Sequence, residues 1–344
     1  MTEFRWNSAT AVAAAMLAGS IVGLSCKAFA WGNTGHVEVS RLAIEMLPDE
    51  LPAFLRSPAA ARAIGELGPE PDRSKTAGPE HDQELDPGHF VDLDDDGKVV
   101  GVIPVTGLPA TRQAYDTALR AAGQSEYSAG YLSYNIVIGW QQLRKEFAYW
   151  RADVVGLRTA TTPEDLAFFR YDLQLRQQLI IRDLGVWSHY VADASQPLHV
   201  SVHFNGWGDF PNPDGFTNDR GTHARFEGAF VRDNVTLDAI AAAVPDARDC
   251  GCAIEERTVQ YLQASLAQVV PLYRLATAGA FAGPNAEGSA FAAQRLGAGI
   301  AELRDMVVDA WRSSATWVVG FPLIQVKDVE SGAAQLTRSS YASD

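Results

Sequence analysis

Cysteine is scarce: the chain has three in 344 residues, and only Cys250 and Cys252, one residue apart in Asp-Cys-Gly-Cys, lie beyond the first thirty positions. No His or other Cys is close to them in sequence, so they read as a local loop staple rather than as zinc ligands. Basic residues are in deficit, with 28 Lys and Arg against 42 Asp and Glu and a formal net charge of −14. Such a surface argues against capture of duplex nucleic acid by charge alone. No apolar run reaches membrane-span length. Ala9 to Leu24 follows Arg5, carries no charge and is shorter than the roughly 20 residues a span needs. It precedes Ala28-Phe29-Ala30, a small-x-small cleavage site, so residues 1–30 are expected to be a signal peptide rather than an anchor. Gly23 stands where a lipoprotein box wants Leu, so Cys26 is expected to leave with the signal. Cleavage removes two basic residues and one acidic residue, taking the net charge from −14 to −15. The mature chain is expected to be periplasmic or secreted, without an integral membrane segment. Repeats, low-complexity tracts and linkers are missing too, which implies one domain over 31–320 and a C-terminal tail over 321–344.

Strand-like segments are few, and with 47% hydrophobic residues the chain has ample material for a helical core. Gly35 to Leu47 has helical spacing and is ended by Pro48. Residues 65–110 and 200–221, rich in Gly, Pro, Asn and Asp, read as long loops, a length that is usually functional inside a domain. Helices are expected at 111–123 and 135–155. Thr162-Pro163-Glu164-Asp165 is a helix start, with a capping Thr, Pro at the first position and acids in the first turn; Pro197 stops the pattern after Gln196. This helix is apolar on more than one side and is expected to be central. Further helices are expected at 222–232, 236–243, 254–278 and 288–316. The fold class is mostly α, a multi-helix bundle with long loops.

The chemistry-bearing residues cluster in sequence. His189 and Asp193 lie four apart on the late part of the long helix, so both project from one face. His199 follows just after Pro197. His223 and Glu227 form a second four-residue pair. Imidazole with carboxylate suits zinc. Cleavage after Ala30 would leave Trp31 with a free α-amine, a further zinc donor once deprotonated, and His36 lies five residues on.

The motifs HYVADASQPLH (189–199) and WGNTGH (31–36) resemble the superfamily of bacterial zinc-dependent phospholipases C and single-strand-specific zinc nucleases. The resemblance spans Trp31 to about Trp317 and is strong only at its motifs. It adds Asp72 and His89 from the first long loop and implies a buried site of three zinc ions. One would be held by Asp72, His89, His189 and Asp193. The second would be held by Trp31, through its amine and carbonyl oxygen, and His36, with Asp193 bridging. The third would be held by His199, His223 and Glu227. The implied reaction is phosphodiester hydrolysis by metal-bound hydroxide, with Asp72 orienting the nucleophile, Lys75 clamping phosphate and Phe90 stacking on a base.

The motifs point to both branches. The loop from His89 to Lys98 and Glu227 itself look like the phospholipase. The choline-binding positions do not carry over, since Thr34, Arg73 and Asp86 replace a carboxylate and two aromatics. The expected substrate is single-stranded nucleic acid, with phospholipid headgroup esters as the alternative. A secreted zinc-stabilised binding protein without turnover is a third reading, from another class. Other features read as structural. Asp92, Asp94, Asp96 and Gly97 mimic a calcium loop, but Ile103 replaces its closing Glu, leaving a polar turn. His81 and His203 match no family ligand. Trp207 and Phe210 either line the cleft or pin their loop.

Overall fold

The computed structural model describes residues 31–76, 78 and 84–341; the expected signal peptide with its cleavage site, and His81, lie outside them. In chain order the longer helices are α1 (Gly32–Glu45), α2 (Pro58–Leu67), α3 (Arg112–Ala121), α4 (Leu132–Thr159), α5 (Pro163–Asp193), α6 (Ile254–Leu266), α7 (Val269–Thr277) and α8 (Ala286–Ser314). Among the described residues, strands are confined to two antiparallel ribbons, Lys98–Val99 with Ile103–Pro104 and Val318–Val319 with Ile324–Gln325. The fold is mostly α.

Helix α5 starts where its sequence says. The Thr162 hydroxyl accepts from the Asp165 amide, Pro163 gives up no helical donor, and Glu164 and Asp165 face the positive helix end. A three-residue link joins it to α4, making a long helical hairpin. Two glycines on α4 let the helices approach closely. A Cβ on Gly139 would lie 1.9 Å from the Trp187 ring, and one on Gly156 would lie 2.5 Å from Phe169. The Trp187 indole also donates to the Ile136 carbonyl, at 2.9 Å. Helices α1 and α8 pack on α5 and on each other, and α2 on α1 and α5. Together they bury Val39, Ala43, Leu184, Val191, Leu296 and Ile300 in the main core. This places the C-terminal turns of α5 deep in the molecule.

Arg257 of α6, almost fully buried, reaches Glu302 (2.5 Å) and Asp309 (2.6 Å) of α8. After α8 the chain doubles back over α4 and α5, forming a second apolar cluster with Phe169, Val319, Val326, Val329 and Leu336. The Tyr341 hydroxyl donates to Asp153 Oδ1 of α4 at 2.7 Å.

Several elements differ from their expected bounds. Helix α2 was not anticipated. The span 254–278 is two helices, because Pro271 has no amide to donate and fits only in the first turn of a new helix. The span 222–232 is an α-helical turn, Thr222–Ala224, followed by a π-helix over Arg225–Phe230 and a short helix Val231–Asn234. The loop over 65–110 contains three 3₁₀ helices among the described residues, Glu70–Thr76, Asp86–His89 and Val105–Gly107. Asp94 Oδ1 accepts the amides of Asp96 and Lys98, which is the expected polar turn. Cys250 and Cys252 are bonded to each other. No described helix is long and apolar enough to cross a membrane.

Candidate metal centre

Three groups of buried His, Asp and Glu side chains converge at the end of α5: His36, His189 and Asp193; Asp72, His89 and His189; His199, His223 and Glu227. Within each group the donor atoms lie within 4.8 Å of one another. The first two groups share His189, so their five side chains form one continuous donor set rather than two separable ones. The resemblance assigned His189 to one ion together with Asp72, His89 and Asp193; in the structure its Nε2 is 3.3 Å from Asp193 Oδ2 and 3.6 Å from Asp72 Oδ1, and it also joins the group of His36.

Tetrahedral ligands at about 2.0–2.2 Å from an ion lie roughly 3.3–3.6 Å from each other. The observed separations are of that size. His36 Nε2 is 3.4 Å from Asp193 Oδ1, while His89 Nδ1 and His189 Nε2 are 3.2 and 3.3 Å from Asp193 Oδ2. The two oxygens of Asp193 thus face different neighbours. His189 Nε2 is 3.6 Å from Asp72 Oδ1, and His199 Nε2 is 3.6 Å from Glu227 Oε2. His223 Nε2 lies nearer Glu227 Oε2, at 2.7 Å, yet makes no hydrogen bond there. Both ring nitrogens of His36, Oδ1 of Asp193, Nε2 of His199 and His223, and Oε1 of Glu227 are buried without a hydrogen bond. Buried polar atoms are costly when left unsatisfied, and so many in one place fit metal ligation.

Two of the other ring nitrogens are fixed by the backbone. His189 Nδ1 donates to the Gly68 carbonyl at 2.8 Å, and His199 Nδ1 to the His89 carbonyl at 2.7 Å, leaving each Nε2 lone pair aimed into the cluster. Gln196 donates to Glu227 Oε2 at 3.0 Å while its own oxygen accepts the Leu198 amide. The π-helix lies between His223 and the end of that segment, with Glu227 inside it.

The protonation states suit cation binding. Burial, helped by the His189 charge, holds His36 well below the usual histidine range; burial and Lys75 push His89 down to about 3. For Asp193 burial raises the pKa, but the His189 and His199 imidazoles outweigh it and hold the carboxyl well below its usual range. Glu227 is likewise pulled against burial to about 2 by His223 and His199. His36 and His89 are thus neutral imidazoles beside ionised carboxylates, the ligand forms a metal requires, whereas for His199 burial lowers the pKa but Asp193 and Glu227 outweigh it and raise it, so an ion there would displace its proton. Among the described residues the buried groups could therefore hold metal ions.

Trp31 is fully buried at the entry to α1. Its indole donates to Ala192 O (2.9 Å) and Ser195 Oγ (2.8 Å), the residues flanking Asp193, and its ring packs against Phe226. The α1 start is thereby pinned beside the donor set. A cleft of 510 Å³ opens there, lined by Trp31, Asn33, Thr34, Asp72, Arg73, Glu227 and Arg232 among others. Lys75 and Phe90 do not line it. Lys75 is buried and paired with Asp72 Oδ1 at 2.7 Å; burial lowers its pKa, but Asp72 and Asp193 outweigh burial and keep it cationic. Phe90 is half-buried against Gly130. His203 is buried and stacked on Trp207, with its Nδ1 donating to the Trp207 carbonyl (2.7 Å). Trp207 is also buried and pins the 200–221 loop, while Phe210 is exposed at its edge.

Spacing alone missed the carbonyls of Gly68 and His89, Ser195, Gln196, Arg232 and the π-helix. Ser195 and Gln196 lie inside the HYVADASQPLH motif, the one signal that pointed toward them. No family model matches the chain, and no curated protein matches it.

Proposed function

We propose that the chain is a zinc-dependent phosphodiesterase acting on single-stranded nucleic acid. One observation carries the reading: three adjoining groups of buried imidazole and carboxylate donors sit at a cleft with Arg73 and Arg232 on its walls. Mixed nitrogen and oxygen donors suit zinc better than calcium or magnesium, which prefer all-oxygen shells. Three ions are expected. Asp72, His89, His189 and Asp193 would hold one; His36, Asp193 and, after cleavage behind Ala30, the Trp31 amine would hold the second; His199, His223 and Glu227 would hold the third. When bound, such ions supply Lewis acidity toward phosphoryl oxygens and ionise water near neutral pH.

The chain's own side chains do the positioning. Asp193 turns one oxygen to His36 and the other to His89 and His189, tying the neighbouring groups together. Lys75 holds Asp72 and offsets carboxylate charge inside the cluster. Gln196 fixes Glu227. Arg73 and Arg232, both exposed, pair with Glu70 and Asp233, and would exchange those exposed carboxylates for the phosphates of a strand entering the cleft.

Thr34 and Arg73 line this cleft at two positions where the resemblance would place the carboxylate and an aromatic of a quaternary ammonium site. Against that, Glu227 and the loop from His89 to Lys98 favour phospholipase C, the second reading. Metal analysis of protein beginning at Trp31 tests both readings, run with hydrolysis of oligonucleotides and of phosphatidylcholine with and without chelator. Two to three zinc ions and chelator-sensitive oligonucleotide cleavage are expected. Cleavage of lipid alone would overturn the nuclease reading, and bound zinc without any turnover would make the chain a binding protein. His199→Ala with unchanged metal content would show that the ligand assignment is wrong.

A further inference from the structure

Away from the metal centre, a cavity of 700 Å³ opens between α4, α6 and the 105–111 segment. Its volume falls within the range of small-molecule sites, about 300–1,000 Å³. The walls are largely apolar, with Leu108, Val137, Ile138 and Val259 among them. Ile138 is 53% exposed, which leaves apolar surface open on this wall. Ser133 also lines the cavity; it is 4% exposed and its hydroxyl has no hydrogen-bond partner. Buried hydroxyls are normally satisfied, so an orphan one in a cavity wall points to a polar atom supplied from outside the chain.

Among the described residues, the charges lining the cavity that have no oppositely charged partner are negative. Glu255 and Glu256, both exposed, line it without a basic partner among the described residues. The lining cation, Arg112, is already engaged: it forks onto Glu126 at 2.6 and 2.8 Å and lies over the Tyr131 ring. The first turn of α6 accounts for acids at these positions through the helix dipole, but not for an apolar cavity and an orphan hydroxyl beside them.

The geometry points to a binding site for a small amphipathic cation, an alkyl or aryl body carrying an amine. Its body would fill the apolar walls, its ammonium would face Glu255 and Glu256, and a polar atom near the head would meet Ser133. An anionic amphiphile of the same size fits the walls but meets uncompensated carboxylates. The site is independent of the metal centre and of the reaction assigned to it.

Calorimetric titration of the full chain with decylamine, decanoate and decanol, each below its micelle concentration, tests this. The probes share a chain and differ only in the head. Decylamine is expected to bind one per chain, about tenfold or more tighter than decanoate at low salt, with the preference shrinking as salt screens the rim. Ile138→Arg, at an exposed position, should abolish binding. Glu255→Gln with Glu256→Gln should bring amine and alcohol to within about threefold while keeping chain binding, as expected for partly exposed charges. Equal affinities for decylamine and decanoate, several weak sites per chain, or binding unaffected by Ile138→Arg would each overturn the proposal.

Discussion

Asp153 sits wholly buried on α4 beneath the returning chain, and burial pushes its carboxyl up to about 8, partly offset by the hydrogen bond from Tyr341. An unfolded carboxyl titrates near 3.9. Between those values the folded chain holds a proton that the unfolded chain has lost. The stability from this group is therefore complete below about pH 4 and declines as pH rises toward 8. Asp153→Asn keeps an acceptor for Tyr341 and removes the ionisation. It should leave the melting temperature near that of the parent at pH 4.5 and raise it at pH 8, where the gain in stability is on the order of a few kcal/mol. Melting curves at the two pH values check this; a variant less stable at pH 8 than the parent would refute it. Residue type and spacing made His189 with Asp193 and His223 with Glu227 legible, because His and carboxylates four apart share a helix face, whereas Asp72 and His89 were reached only through the resemblance. The carbonyls of Gly68 and His89 were not legible, since any residue supplies the same oxygen. Lys75 was expected to clamp phosphate. Its burial against Asp72 depends on how the 70–76 segment folds over α5, which spacing does not encode.

Helix ends were read well wherever a side chain marks them and poorly where only the backbone does. Thr162 and Pro163 mark the start of α5, and its end at Asp193 falls three residues before the expected Gln196 because the chain turns before Pro197. Helix α2 has an equally good start in Ser57 and Pro58, but between Ala59 and Gly65 only Ile64 is a large apolar residue, so no face stands out. The π-helix holding Glu227 has no residue signature. Helix contacts were legible least, because a glycine says nothing of what lies over it. Gly139→Ala makes the point testable. Alanine should favour a helix by about 1 kcal/mol, but the new Cβ would lie 1.9 Å from the Trp187 ring. Overpacking of this kind costs typically about 1–3 kcal/mol, so a net loss is expected. A lower urea midpoint with an unchanged m-value is the expected result, and a higher midpoint would show that α4 and α5 are not in that register.

For the molecule as a whole, mostly α was legible from the scarcity of strand-like segments and the run of helical periodicities. How the helices gather around the end of α5 was not, because it depends on contacts between residues far apart in sequence. The donor groups supply the test at this scale. Emptying them leaves ionised carboxylates and orphan imidazole nitrogens in the core, whereas a tightly bound ion stabilises the folded state by mass action. Chelation is expected to lower the melting temperature by on the order of 10 °C, and added zinc to restore it. Identical melting curves with and without chelator would mean that no metal contributes to the fold. The one disulfide, Cys250 to Cys252, encloses a single residue and so removes almost no freedom from the unfolded chain. An ion joining His36 to His189 would instead close a ring of about 150 residues, and by the chain-entropy estimate for disulfides a link of that reach is worth on the order of 5 kcal/mol. The donors come from α1, the first long loop, the end of α5 and the 222–234 region. In a chain so poor in cysteine, the metal centre would then serve as its covalent-like cross-bracing, and losing the ions would free the topology of the fold along with its chemistry.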